Sequence, residues 1–247
     1  VQSPGFKYHK KISEVHALGV SLGGSSTLFA ALYASHNRRA DGSPYINSAF
    51  VGCPVVDLEK SVQELYSGGI VSQLFKRVFW HQMQSIANDV PVVREIIGDG
   101  DITKKHDLVE IEELITRGAL SYYKNATLRP EFNLAPFQGA KISNRDDLWN
   151  LNRFQNYADQ VNIPVYVWAA DNDKVVSAYK NADLLKGRDQ YNLIRTPKGN
   201  HCMFSDSYSW KIMGAITRGI LVSRSRNFHS QLNTRILPLN INGCLLY

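Results

Sequence analysis

The sequence predicts an α/β protein built on a mostly parallel sheet with flanking helices. Short apolar runs rich in β-branched or aromatic residues predict strands at residues 15–20, 46–56, 164–170 and 191–196. Helical patterns follow or separate these runs, at residues 26–35, 177–185 and 203–222. Strands that alternate with helices favour parallel pairing through βαβ crossovers, so we expect one doubly covered sheet.

The middle of the chain departs from this alternation. Residues 57–160 contain few strand signals, and helical patterns occur at residues 62–78, 108–123 and 145–157. A stretch rich in Pro, Asn and Gly, residues 129–144, predicts an irregular loop. We therefore expect a core formed by residues 1–56 and 161–222, a helical insertion over residues 57–160, and a tail, residues 223–247, of unassigned structure.

Composition limits the classes of protein that the chain can belong to. With 247 residues, 44% hydrophobic and 20% charged, it is typical of a globular domain with a sizeable core. No run approaches the length needed to cross a bilayer, and residues 1–11 lack the apolar stretch of a signal peptide. The net charge of +6 is scattered and accompanies no nucleic-acid-binding motif, so we expect no nucleic-acid partner.

The cysteines and the glycines exclude several kinds of site. Cys53, Cys202 and Cys244 are odd in number and widely spaced, which fits neither a disulfide framework nor a zinc site. A reducing compartment, the cytoplasm, follows as the expected location. No metal-ligand spacing of the His-Glu-x-x-His kind and no Gly-x-Gly-x-x-Gly stretch occurs, so we expect neither a metal nor a cofactor.

Ser21 is the leading candidate for a reactive side chain. It lies in Gly19-Val20-Ser21-Leu22-Gly23-Gly24, between the first predicted strand and the first predicted helix. A sharp strand-to-helix turn exposes the serine oxygen at the positive end of the helix. Such a turn is crowded, and Gly19 and Gly23 supply the small residues that it needs. The backbone N–H of Leu22 would then face a developing oxyanion.

Two further loops follow predicted strands and carry an acid and a base. Asp171 and Asp173 come directly after the strand at residues 164–170, and the spacing alone leaves both open as candidates, with one of them free to cap the next helix. His201 follows the strand at residues 191–196, and imidazole suits general base work near neutral pH.

On these residues the chain resembles members of the α/β-hydrolase superfamily. The Ser21 turn matches the family's nucleophile elbow, and serine, acid and histidine follow in the family's chain order. The family's Gly-x-x-Asp-x-Val-Val stretch aligns with Ala170-Asp171-Asn172-Asp173-Lys174-Val175-Val176, with Ala replacing Gly, which selects Asp173. The resemblance places a cap or lid at the helical insertion.

The resemblance also implies missing parts. Family members have several strands before the elbow strand and a loop there that supplies a second oxyanion N–H, but only 14 residues precede Val15. We therefore expect a piece of a longer protein, or completion by another chain, and weak turnover by this chain alone.

The expected function is hydrolysis of carboxylic esters through an acyl-enzyme, with Ser21 as nucleophile, His201 as base and Asp173 as acid. Apolar residues of the insertion favour an apolar acyl group: Leu74, Phe75, Val78, Phe79 and Trp80. Thioester, amide or lactone cleavage and acyl transfer stay open, as does the oligomeric state. The alternative is a non-catalytic binding module, which an open Ser21–His201–Asp173 geometry would favour.

Overall fold

The computed structural model describes residues 14–66 and 144–201, together with single residues at positions 77, 78, 81, 85, 88, 214 and 218. Helices separate the first three strands of the described chain, as the sequence predicts, but only turns and a short 3₁₀ helix lie between the last two. In chain order the regular elements are β1 (His16–Val20), α1 (Leu22–His36), β2 (Ser48–Gly52), α2 (Leu58–Tyr66), α3 (Arg145–Leu151), β3 (Val165–Ala170) and β4 (Tyr191–Thr196).

The strands form one sheet in the order β1-β2-β3-β4, and every pair is parallel. The predicted fold class is therefore confirmed for the described residues. Because all four strands point the same way, their carboxyl ends meet at one edge of the sheet. Ser21, Asp173 and His201 all follow strand ends at this edge.

Both faces of the sheet are apolar, as expected for parallel strands covered on each side. Side chains alternate along each strand: Val165 and Val167 face one cluster, and Trp168 belongs to the other. The larger cluster lies under α1, whose Leu28 and Leu32 are fully buried. Residues 154–161 close this side. The smaller cluster contains Phe50, Cys53, Trp168, Ala170 and Ile194.

Two elements are shorter in the structure than the sequence predicts. The strand predicted over residues 46–56 is limited to Ser48–Gly52, because Cys53 takes a positive φ of 44° and Pro54 has no N–H to donate. The helix predicted over residues 145–157 ends at Leu151 and continues as 3₁₀ turns, Phe154–Asn156 and Ala158–Gln160.

The prediction of a helix over residues 177–185 is wrong. These residues form turns and one short 3₁₀ helix, Ala182–Leu185. The Asn181 amide donates to the Ser177 carbonyl at 3.2 Å, the acceptor that an α-helix would reserve for the backbone N–H of Asn181. That N–H bonds to Ala178 instead, at 3.3 Å. Side-chain competition for backbone acceptors thus tightens the segment into 3₁₀ geometry.

The helices α1 and α2 begin earlier than predicted. Helix α1 starts at Leu22, directly after the Ser21 turn, and extends to His36. Helix α2 starts at Leu58 because the Asp57 carboxylate accepts the backbone N–H of Lys60 at 3.1 Å and so caps its first turn.

The two ends of the predicted insertion lie side by side. Asp57 and Arg153 form an isolated antiparallel bridge, and the backbone N–H of Phe154 donates to the Val56 carbonyl at 2.9 Å. The chain therefore leaves the core after Val56 and returns at Phe154 through one point. The insertion itself stays a prediction, since most of it lies outside the described residues.

Several other predicted features lie wholly or mostly outside the described residues: the helices at residues 108–123 and 203–222, the loop at residues 129–144, and the tail over residues 223–247. Among the helices that the structure describes, none is both long and apolar enough to cross a bilayer.

Candidate active site

Ser21 occupies the turn between β1 and α1 in a strained backbone conformation. Its φ and ψ are 57° and −126°, a combination that a residue with a Cβ rarely adopts. Its backbone N–H donates to the Gly52 carbonyl at the end of β2, at 2.8 Å. This bond ties the turn to the neighbouring strand. Strain of this kind persists only where the surrounding structure enforces it, and it concentrates at functional sites.

The glycines around Ser21 differ in how much space a Cβ would have at each position. A Cβ on Gly19 would lie 2.2 Å from the Gly23 carbonyl oxygen and equally close to Thr27 Oγ1, so this position accepts only glycine. A Cβ on Gly24 would approach the backbone of Gly52 and Pro54 at 3.2 Å. One on Gly23 would meet no described atom. The crowding predicted on both sides of the turn therefore falls on Gly19 and Gly24.

His201 faces Ser21 from the loop after β4. The Oγ of Ser21 and Nε2 of His201 are 2.9 Å apart. The loop turns through two positive φ angles, 150° at Gly199 and 50° at Asn200. Glycine is required at the first of these, since a Cβ on Gly199 would lie 2.9 Å from the Trp168 ring. The loop therefore packs tightly on the sheet before it delivers the imidazole to the Ser21 turn.

Asp173 lies on the other side of the imidazole. Its Oδ2 is 2.9 Å from Nδ1 of His201, and its Oδ1 accepts the backbone N–H groups of Val175 and Val176 at 2.8 and 2.9 Å. Only 1% of the Asp173 side chain is exposed, against 19% for His201. A buried carboxylate with both oxygens bonded is fixed in position. The three predicted side chains thus form one continuous hydrogen-bonded row.

Asp171 has a different environment. Its Oδ1 accepts from Nε of Arg195 at 2.8 Å, and the Arg195 guanidinium also pairs with Asp183. Burial acts to lower the pKa of Arg195, but the hydrogen bonds to Asp183 and Asp171 outweigh it, and the pKa is raised. Asp171 therefore anchors the loop after β3 to β4, while Asp173 turns towards the histidine.

A pair of asparagines that the sequence analysis did not single out links the acid and base loops. The amide nitrogen of Asn172 donates to Oδ1 of Asn200 at 2.9 Å. In return, the backbone N–H of Asn200 donates to Oδ1 of Asn172 at 2.8 Å. Each asparagine directly precedes a member of the row, Asp173 or His201. The sequence offered one signal for them, since asparagine readily adopts positive φ in loops.

Comparisons with known proteins found solved structures that are similar to this chain, but no matching family. No family model matches the chain, and no curated protein matches it. Among solved structures, Est1E from Butyrivibrio proteoclasticus shares 14% identity at a TM-score of 0.43, covering 88% of this chain and 65% of its own. The esterase domain of a Rhodothermus marinus protein shares 14% identity at 0.39, covering 83% and 59%.

An esterase from Pyrococcus furiosus is similar at the same level, with 12% identity, a TM-score of 0.39, and coverage of 86% of this chain and 55% of its own. The chain thus spans less than two thirds of each of these three structures. At these identities and at TM-scores below 0.5, the similarity assigns the chain to no family.

Proposed function

We propose that this chain is a serine hydrolase that cleaves carboxylic esters through an acyl-enzyme. The observation that supports this most is the unbroken row from Ser21 Oγ to His201 to Asp173, with both links at 2.9 Å. A serine hydroxyl is a weak nucleophile until a base takes its proton. Here a base lies within hydrogen-bond reach, and a buried carboxylate orients that base.

In the first step, Ser21 Oγ attacks the ester carbonyl carbon while its proton passes to Nε2 of His201. The Asp173 carboxylate accepts the Nδ1–H of the ring, which fixes the tautomer with a free Nε2 and stabilises the imidazolium that forms. The tetrahedral intermediate then collapses. The C–O bond to the leaving alcohol breaks, and the imidazolium returns its proton to that oxygen, leaving the acyl group on Ser21.

In the second step, water replaces the alcohol. His201 takes a proton from water as its oxygen attacks the acyl carbon, and the Ser21 oxygen leaves with the proton that the ring then releases. The products are the carboxylic acid and free Ser21. The same residues carry both half-reactions, so no further base is needed.

Leu22 supplies one oxyanion contact in this proposal. It is the first residue of α1, and the first N–H groups of a helix have no partner within that helix. The oxyanion would form at the positive end of the same helix. A single missing donor costs about 10²–10³ in kcat. The second donor is expected from residues other than those described here, so turnover depends on it.

The acyl group is expected to be apolar. The Leu22 side chain follows the nucleophile directly and is 62% exposed, which places apolar surface beside Ser21. The predicted insertion would extend that surface and gate access. Thioesters, amides, lactones and acyl transfer use the same three side chains, and a substrate series separates them. The binding-module alternative expected the three side chains to be out of reach of one another, which the distances do not favour.

The test is covalent labelling of Ser21 together with ester hydrolysis. A fluorophosphonate probe should label the wild-type chain and the Ser26→Ala variant, but not Ser21→Ala. Ser26 is a matched control, since it lies on α1 close to the Ser21 turn, is exposed, and donates its hydroxyl to the Leu22 carbonyl. Hydrolysis of p-nitrophenyl esters of increasing chain length should follow the labelling. Labelling of Ser21→Ala at the wild-type rate would refute the proposal.

A further inference from the structure

Cys53 lies directly after β2, at the same sheet edge as the candidate active site. Only 2% of the residue is exposed, and its φ of 44° is unusual for a residue with a side chain. Its backbone N–H donates to the Trp168 carbonyl at 2.7 Å, which holds it against β3. Because Cys53 lies next to Asp173 and His201, its thiol could bind a ligand together with their side chains.

Three different metal-ligating side chains converge here. The Cys53 sulfur, a carboxylate oxygen of Asp173 and a ring nitrogen of His201 all lie within 4.8 Å of one another. They come from the ends of β2, β3 and β4, which are adjacent in the sheet. Parallel pairing therefore brings together ligands that are far apart in the sequence. This explains why the spacing of residues along the chain did not reveal them.

The ligand set suits a zinc-type cation. Zinc binds thiolate sulfur, imidazole nitrogen and carboxylate oxygen tetrahedrally, with bonds of about 2.0–2.3 Å, which separates neighbouring ligands by about 3.3–3.7 Å. The cluster needs only small side-chain shifts to reach that spacing. A thiolate and a carboxylate also balance the two positive charges of the ion, and a neutral complex is the form that a buried site tolerates.

We propose that Cys53, Asp173 and His201 form a binding site for a thiophilic divalent cation of the zinc type, and that the bound ion inhibits the enzyme. The inhibition rests on the proposed function; the binding does not. The ion would bind the thiolate, a carboxylate oxygen and the Nδ1 that now faces Asp173. The thiol proton passes to solvent, so one proton is released for each ion bound.

The inhibition follows from the tautomer of the imidazole. With the ion on Nδ1, a neutral ring carries its proton on Nε2. That nitrogen then donates a hydrogen bond and no longer accepts the proton of Ser21. The ion also occupies the Asp173 oxygen that would orient the ring. Ser21 is therefore left without a base, although its own oxygen is not bound by the ion.

The binding is tested with Co²⁺, whose bond to a thiolate gives a charge-transfer absorption band in the near ultraviolet. We expect the band in the wild-type chain and in Cys202→Ser and Cys244→Ser, and its loss in Cys53→Ser and Cys53→Ala. Absence of the band in the wild type overturns the proposal, as does a band that persists in folded Cys53 variants. If neither Cys53 variant folds, a band that survives in the Cys202→Ser/Cys244→Ser double variant supports it.

Inhibition is measured separately with Zn²⁺ on ester hydrolysis, each variant being compared with its own rate in EDTA. We expect EDTA to restore the wild-type rate, and Cys53→Ser to need about tenfold more Zn²⁺ or more for half inhibition. Equal sensitivity of wild type and Cys53→Ser overturns the inhibitory role. If the chain hydrolyses no ester, the proposed function fails, but the Co²⁺ measurement still decides whether the site exists.

Discussion

Asn172 and Asn200 exchange two hydrogen bonds between the loops that carry Asp173 and His201. The pair closes a ring of contacts in which each asparagine is one peptide bond away from the residue it steadies. The hydrogen bonds described for these two side chains join them to each other, while Ser21 Oγ bonds to His201. We therefore assign the asparagine pair a positioning role: it helps to set the distance between Asp173 and His201.

Replacing Asn172 by alanine should slow the chemical step more than it weakens substrate binding. Both hydrogen bonds of the pair are lost, and a net loss of about 1 kcal/mol in orientation corresponds to a fall of about fivefold in kcat. KM should change little, because the two side chains bond to each other. Steady-state kinetics on a p-nitrophenyl ester provide the measurement. Asn172→Asp keeps the acceptor for the Asn200 N–H and should recover part of the rate; equal losses in both variants would contradict this role.

Replacing Asp173 by asparagine should lower kcat by about 10³–10⁴, because the amide no longer stabilises the imidazolium and favours the wrong tautomer. Asp171→Asn is the matched control. It removes a partner of Arg195 that is half exposed, and such pairs contribute about 0–1 kcal/mol to stability. Its kcat should stay close to the wild-type value. The reverse order of the two effects would mean that Asp171 is the acid.

Replacing Gly19 by alanine should destabilise the fold and remove activity together. The new methyl group would overlap the Gly23 carbonyl and Thr27 Oγ1, and overpacking of this kind costs about 3 kcal/mol. Gly23→Ala should leave the free energy of unfolding unchanged or raise it by about 0.5 kcal/mol, since glycine is a weak helix former. Urea unfolding measures both. A larger loss in Gly23→Ala than in Gly19→Ala would contradict this account of the turn.

Replacing Asn181 by leucine should destabilise the exit from β2. The buried Oδ1 of Asn181 accepts from the backbone N–H groups of Val56 and Asp57 and from the Ser61 hydroxyl. Each buried donor left without an acceptor costs about 1–3 kcal/mol, so a loss of about 3 kcal/mol or more is expected. Thermal unfolding followed by circular dichroism is the measurement. Asn192→Ala, at an exposed position of β4, should stay within about 0.5 kcal/mol of wild type.

Strand β3 was predictable from the sequence because it is a continuous run of apolar residues, the pattern that a buried parallel strand requires. Strand β4 was predictable from its apolar, aromatic and β-branched residues, although Asn192 and Arg195 interrupt the run. The turn at Ser21 was predictable for a different reason. The crowding that requires Gly19 comes from Gly23 and Thr27, which are close to it in the sequence. Where a feature depends on neighbouring residues or on a buried run, the linear sequence contains the necessary information.

The turns at residues 177–185 were not predictable in this way. Their apolar spacing is typical of a helix, but the Asn181 side chain donates to the Ser177 carbonyl, which a helix would use for a backbone hydrogen bond. The same side chain accepts the backbone N–H of Val56, which follows β2. The sequence separated Asp171 from Asp173 only through a family resemblance, because the contacts that distinguish them, with Arg195 and with His201, join segments distant in the sequence. The contact of Asn172 with Asn200 and the position of Cys53 depend on parallel pairing between distant segments.

The bridge between Asp57 and Arg153 makes the sheet independent of the length of chain between them. Because the bridge holds Asp57 next to Arg153, the distance between these two residues does not depend on how many residues lie between them. The entropic cost of closing such a segment grows only with the logarithm of its length. Insertions or deletions within this segment are therefore expected to leave the spacing of Ser21, His201 and Asp173 unchanged.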